Sequence, residues 1–258
     1  MASRRLEGAL ILVDVQNDFC PGGALAVDGG DEIVPIINKL IPGFSVVIST
    51  QDWHPADHIS FKQRGGPWPP HCVQGSHGAD LHSDLKKDTI AHYFRKASTS
   101  DKDDYSEFAG TDEEGRTLDE VLKEQGVNRL YVAGLATDYC VLETVLDGLK
   151  LGYDVYAVTD AMRAVNVNPD DGDKALRKMS DNGARLVHSD ELLNLAGTSN
   201  GKLSESRLRN QTRRLLYYSA INCKTLLVYR LENHLAFIHF DEHERVIFVV
   251  AGGAQRTL

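Results

Sequence analysis

Continuous apolar runs of strand length alternate along this chain with apolar residues set at helical spacing. Residues 9–13 form the first run, and Ile33, Val34, Ile37, Leu40 and Ile41 then mark one face of a helix that Pro42-Gly43 stops. Residues 46–48 predict a second strand and residues 89–94 a third, ending in Arg95-Lys96. Thr117-Leu118-Asp119-Glu120 has the T-x-x-E form of a capping box and opens a helix that Gly126 closes. A fourth strand over 130–133, a helix from Val141 to Gly152 and a fifth strand over 155–158 follow. A helix over 174–179, ended at Asn182-Gly183, precedes a sixth strand over 185–188. Runs that are apolar throughout suit strands covered on both faces. Their alternation with helices implies parallel pairing through right-handed crossovers, hence an α/β fold with a six-stranded parallel sheet flanked by helices.

The pattern changes after about residue 195. Residues 198–214 are polar and basic and read as a linker. Residues 225–229, 235–240 and 246–250 predict three short strands, with turns at Glu232-Asn233 and Asp241-Glu242. The expected organisation is therefore a main domain over 1–195 and a small β extension over 196–258, to which the sequence attaches no chemistry. A sheet that small needs something to pack on, so the segment reads as an edge extension of the main sheet, an oligomer contact or an unstructured tail, which leaves a homo-oligomer open.

Composition narrows the function by exclusion. The 258 residues are 42% hydrophobic and 25% charged, as in an ordinary soluble protein. A net charge of −9 argues against a nucleic-acid partner, which needs a basic face. No apolar run reaches the roughly 18 residues of a membrane span. Arg4 and Arg5 precede a short apolar run, but Asp14 ends it and no cleavage-like site follows, so it does not read as a signal peptide. Cys20, Cys72, Cys140 and Cys223 form neither a C-x-x-C pair nor a disulfide framework, and a cytosolic protein is the expectation.

Candidate chemistry collects where the predicted strands end. Asp14, Asp52, Lys96 and the small-residue turn Gly134-Leu135-Ala136-Thr137 before Cys140 all follow strand runs, and in an open parallel sheet those carboxyl ends converge on one crevice. A cysteine opening a helix meets unpaired N–H groups and the positive end of the dipole, which favour a thiolate, and Lys96 adds a cation. Asp14 is positioned to take the thiol proton and return it to a leaving nitrogen. The backbone N–H groups of Ala136 and Cys140 are candidates for an oxyanion hole. A second set, Asp52-x-His54 with His71 in Trp68-Pro69-Pro70-His71, offers two nitrogens and a carboxylate to a divalent ion such as Zn²⁺, Fe²⁺ or Mn²⁺, with His58 and Ser60 as further candidates. His71, His58 and Ser60 lie in a long connection over 55–85 that follows His54, a length that marks a functional loop.

Asp14-Val15-Gln16-Asn17-Asp18-Phe19-Cys20, Gln51-Asp52-Trp53-His54, Trp68-Pro69-Pro70-His71-Cys72, Lys96 and Gly134-x-Ala136-Thr137-Asp138-x-Cys140 together resemble the nicotinamidases among the isochorismatase-like cysteine hydrolases. The likeness runs from about residue 10 to 193. It implies a Rossmann-like three-layer fold, and hydrolysis of nicotinamide to nicotinate and ammonia in NAD salvage by way of a thioester. It further implies an Asp14, Lys96 and Cys140 triad, and a metal, zinc first, on Asp52, His54 and His71 that holds the pyridine nitrogen. Phe19, Trp68 and Tyr105 would line the pocket for this small-molecule substrate. Three alternatives stay open: a sister amidohydrolase acting on a carbamoyl or ureido compound, a metallohydrolase in which Cys140 only packs, and a binding protein without turnover.

Overall fold

The computed structural model describes residues 5–197 and, beyond them, the backbone of four strands, Leu227–Leu231, His234–Phe240, Val246–Val250 and Ala254–Thr257. The chain divides into two units between Ser199 and Asn200.

The first unit is a parallel sheet of β1 (Leu6–Val13), β2 (Phe44–Asp52), β3 (His92–Lys96), β4 (Arg129–Leu135), β5 (Asp154–Arg163) and β6 (Arg185–Val187) in the order β3-β2-β1-β4-β5-β6. The predicted parallel α/β sheet is thus present. β1 shows why its run is apolar throughout. Leu10 and Leu12 point to one face, against α1 (Ile33–Leu40) and α5 (Ser189–Gly197). Ala9, Ile11 and Val13 point to the other, against α2 (Leu118–Glu124), α3 (Cys140–Lys150) and α4 (Asp171–Asp181). Alternate side chains thus enter two cores, and all five are fully buried. Strand order reverses beside β1, between its partners β2 and β4, so the crevice at the carboxyl ends of β1 and β4 is the place a ligand is expected in this architecture.

Several boundaries differ from expectation for local reasons. The third strand begins at His92, because Ile90 N–H donates to Lys87 O and folds the preceding residues into a turn. Asp52 and Lys96 are therefore the last residues of their strands, paired in register, rather than residues beyond them. β5 runs on to Arg163. α4 begins three residues early, its polar first turn having hidden it, and its Asp171 carboxylate accepts the Asn168 N–H. α5 was unpredicted, since Leu192 is its one buried apolar side chain. The capping box forms as read: Thr117 Oγ1 accepts Glu120 N–H and Glu120 returns the bond to Thr117 N–H.

The second unit is an antiparallel sheet in the order β10-β9-β8-β7, numbering the four strands in chain order from β7 at Leu227–Leu231 to β10 at Ala254–Thr257. Its first three strands match the predicted ones to within two residues, and the fourth was not foreseen. The expected linker over 198–214 and both expected turns lie outside the described residues.

Candidate active site

Asp14 follows β1 directly with φ 46°, a left-handed conformation that aspartate tolerates and that recurs at functional positions. Thr50, on β2, holds it twice: the hydroxyl accepts the Asp14 N–H at 3.2 Å and donates to Asp14 Oδ1 at 3.1 Å. Asp14 Oδ2 accepts a hydrogen bond from Lys96 Nζ at 2.6 Å, and Lys96 also binds Asp52 Oδ1 across the β2–β3 pair. On the far side, β4 ends close to β1 because residue 134 is glycine: at φ 129°, a Cβ there would sit 2.0 Å from Val13 O. The chain then passes through a cis Leu135-Ala136 peptide and opens α3 at Cys140, whose N–H is among those without an intrahelical acceptor. Ala136 O closes the turn by accepting N–H bonds from Tyr139 and Val141. Cys140 Sγ and carboxylate oxygens of Asp14 and Asp52 lie within 4.8 Å of one another. Residues 82 and 126 positions apart from Asp14 therefore share one buried corner.

Asp52 also belongs to the second set. One ligand atom each from Asp52, His54 and His71 lies within 4.8 Å of the others, and all three residues are buried. Each ring is aimed by a backbone carbonyl: His54 Nδ1 pairs with Ala97 O at 3.2 Å and His71 Nδ1 with Pro69 O at 2.8 Å. That fixes Nδ1 as the protonated nitrogen and leaves both Nε2 atoms, 3.4 and 4.0 Å from Asp52 Oδ2, free to bind an ion. The donor set therefore fits a divalent metal. His58 does not join it. Its Nδ1 pairs with Ser60 Oγ and its Nε2 with Lys102 O, and its ring stacks on His54 from behind at 4.2 Å.

The electrostatics correct one expectation. Burial pushes the Cys140 thiol well above its ordinary value against the pull of Lys96, with Asp14, Asp52 and Glu107 adding to the rise. Three carboxyls surround the one ammonium at a residue only 6% exposed, so burial shifts the thiol in the direction opposite to the one that the helix terminus and Lys96 alone suggest. Burial likewise raises Asp14, opposed by Lys96 and reinforced by Asp52, while Asp14 and Asp52 overcome burial to hold Lys96 well above the lysine range. For Asp52, burial loses to Lys96, His54 and His71, which hold it well below the usual carboxylate value. Burial pushes His71 below the ordinary imidazole range.

A cavity opens onto both sets. Phe19, Trp68 and Tyr105 line it, together with Leu25, Tyr139 and Val165. Trp68 Nε1 donates to Tyr105 OH at 3.1 Å and Tyr139 meets the Trp68 ring edge-on at 5.1 Å, so the aromatic wall is braced within itself. Three supports escaped the sequence reading. Gln16 clamps the crevice, donating to Asp52 O and Ala79 O and accepting the Asp52 N–H. Asp18 accepts the Cys72 N–H at 2.7 Å and the Ala24 N–H at 3.0 Å, which fixes the long loop beside His71. The third is Glu107, fully buried, with Oε1 3.2 Å from Lys96 Nζ. It lies in a polar, acidic stretch over 98–115 whose composition alone reads as a surface loop. The flanking Tyr105 and Phe108 were the available signal that this stretch turns inward.

The isochorismatase domain model matches residues 8–191. The chain belongs to the isochorismatase family. Within that family it is 46% identical to the nicotinamidase of Escherichia coli (strain K12) over 198 residues, 69% of this chain and 93% of that protein. Two solved structures are similar. Pyrazinamidase of Pyrococcus horikoshii in complex with zinc is 45% identical with a TM-score of 0.64, covering 71% of this isochorismatase-family chain and 99% of that one. PnC1 of L. infantum in complex with nicotinate is 37% identical with a TM-score of 0.67, covering 74% and 98%. The antiparallel strands of the second unit lie beyond the matched segment.

Proposed function

We propose that this chain hydrolyses the carboxamide of nicotinamide, giving nicotinate and ammonia, with Cys140 as nucleophile. The observation that carries the reading is the double membership of Asp52: one carboxylate joins the Asp14–Lys96–Cys140 corner to the His54–His71 corner, so a nucleophile and a metal site face one aromatic-walled cavity. The nicotinamidase likeness and the nicotinate complex of a relative point to the same substrate.

The resting thiol requires a base at the moment of attack. Asp14, held as a carboxylate by Lys96 and Thr50, takes the Cys140 proton as Sγ bonds to the amide carbon. The N–H groups of Cys140 and Ala136 receive the developing oxyanion. Asp14 then gives the proton to the departing nitrogen, ammonia leaves, and a thioester remains. Water attacks that thioester with Asp14 again as base, and nicotinate and the thiol are released. Lys96 stays an ammonium throughout and compensates the charge that moves between sulfur and carboxylate. Asp52, His54 and His71 would hold a divalent ion, zinc as in the Pyrococcus horikoshii relative. When bound, it supplies a Lewis-acidic anchor for the pyridine nitrogen that aims the carboxamide at the sulfur. Phe19, Trp68 and Tyr105 pack against the flat ring.

Ammonia release from nicotinamide by the wild-type chain, by Cys140→Ala and by a chelated sample tests this. Full turnover by Cys140→Ala would end the proposal, and a preference for a ureido substrate would move it to the sister class.

A further inference from the structure

Glu107 is the one fully buried glutamate among the described residues, and no step above uses it. It sits in a short 3-10 turn, Glu107–Ala109, pinned from α3: its N–H donates to Thr144 Oγ1 at 3.1 Å, and Thr144 stands one turn after Cys140 on the same helix face. Around its carboxyl gather Lys96 from β3, Asp14 from just beyond β1, Asp52 from β2 and Cys140 from α3. The ion-pair contact to Lys96 is 3.2 Å, and neither carboxyl oxygen receives a hydrogen bond.

Counting charges in this corner leads to a proton. Lys96 pairs with three carboxyls, Asp14, Asp52 and Glu107; even with the Asp52 charge assigned to the metal set, one buried ammonium faces two carboxyls, Asp14 and Glu107. Two anions beside one cation would leave a buried charge uncompensated, and a shared proton removes it. Asp14 is the better-served anion, with Lys96 at 2.6 Å on one oxygen and the Thr50 hydroxyl on the other. Glu107 has no donor on either oxygen, so it keeps the proton.

We propose that Glu107 is a positioning residue: a neutral acid that donates its O–H to Asp14 and thereby keeps Asp14 in the carboxylate form that accepts the Cys140 proton. This rests on the amidohydrolase reading for its consequence in turnover, but not for its geometry. Burial, and after it the Asp14 carboxylate, push Glu107 well above the ordinary glutamate range, in agreement with the charge count. Paired as two carboxylates, Asp14 and Glu107 could only repel; with one proton between them they form a hydrogen bond.

Two substitutions separate a neutral donor from an anion. Glu107→Gln keeps both a donor for Asp14 and an acceptor for Lys96, whereas Glu107→Leu keeps neither. The readouts, on the full chain loaded with zinc, are kcat/KM for nicotinamide against pH and the rate of Cys140 alkylation by iodoacetamide against pH, located by peptide mass. The expected result is an acid limb unmoved in Glu107→Gln and moved up by about one unit in Glu107→Leu, a roughly tenfold loss at a pH on that limb. A limb moved to lower pH in Glu107→Gln would show that an anion had been removed and would overturn the proposal. An unmoved limb in a folded Glu107→Leu would overturn it as well. Should Glu107→Leu not fold, the infrared difference between wild type and Glu107→Gln at neutral pH decides: a protonated-carboxyl C=O band present only in wild type supports the assignment and its absence refutes it. Failure of wild type to release ammonia from nicotinamide would sink the substrate reading alone, because alkylation and the infrared band do not depend on that substrate.

Discussion

Asp52, His54 and His71 are aimed by main-chain groups, namely Gln16-clamped backbone and the carbonyls of Pro69 and Ala97, whereas Asp14, Lys96, Glu107 and Cys140 are held in place by one another. In the first corner both imidazoles keep their direction when a neighbour is lost, since a carbonyl does not move with a side chain, while the Asp52 carboxylate is shared with Lys96. In the second, Lys96 is the one cation among the carboxyls around it, so removing a group there unbalances the others. The corners should therefore respond differently to the same kind of damage.

Lys96→Met is the harshest test of the difference. It removes the cation from among three buried carboxyls, and breaking a buried ion pair from one side costs about 3–5 kcal/mol. Activity should fall by on the order of 10³ or more, since Asp14 loses its preference for the carboxylate form and with it the base. Urea unfolding and turnover should worsen together. Near wild-type stability in this variant would mean that the corner is not held by its charges.

His71→Ala damages the other corner, and its effect should be recoverable in kind. The variant is expected to lose metal affinity and about 10- to 100-fold in kcat/KM while Cys140 alkylation stays as in wild type. Chelation of wild type should lower the melting temperature, reversibly on adding zinc, as loss of a ligand held at 100 times its Kd removes about 2.7 kcal/mol. If chelation also slowed Cys140 alkylation, the two corners would be one unit and the contrast would fail.

The two corners also differed in how plainly the sequence displayed them. Asp52, His54 and His71 announce themselves because D-x-H and W-P-P-H put ligand types next to turn chemistry, and the carbonyls that aim them are present whatever the side chains. Asp14, Lys96 and Cys140 were legible because parallel strands bring their carboxyl ends together. Glu107 was not, since a glutamate in an acidic loop looks solvated until the sheet is assembled and Lys96 is seen to need a partner there. The direction in which the Cys140 thiol is shifted was hidden for the same reason. One lysine and a helix terminus can be read from the chain, but the desolvation and the carboxyls that outweigh them arise only on packing. Among elements, those with a strong apolar stripe were found, and α5, with Leu192 as its buried apolar contact, was not.

Acidification should separate the corners more gently. Asp14 is raised by burial, so the acid limb of kcat/KM lies above the ordinary aspartate value of about 3.9: as pH falls through the Asp14 pKa, the base is protonated and turnover is lost. His71 is held below its ordinary value, so the sign for stability is opposite to that of a paired histidine. The unfolded chain takes up the proton first, and stability declines as pH falls below about 6.5 toward the folded pKa. Urea midpoints against pH for wild type and His71→Gln, both metal-free, should differ most in that interval. Identical slopes would show that the buried imidazole carries no such linkage.

The smallest effect belongs to the Trp68–Tyr105 part of the aromatic wall, which is paired within itself. Tyr105→Phe removes the acceptor of Trp68 Nε1–H and leaves the ring in place. Trp68 keeps its edge-on contact with Tyr139, so its orientation should loosen rather than collapse. One net hydrogen bond is worth about 0.5–1.5 kcal/mol, which corresponds to a rise in KM of roughly 2- to 10-fold with kcat unchanged. Such a split would confine the wall to holding the ring. A fall in kcat at constant KM would instead tie Tyr105 to the nucleophile corner, from which Ser106 alone separates it and Glu107 in sequence, and would make that loop a single catalytic support.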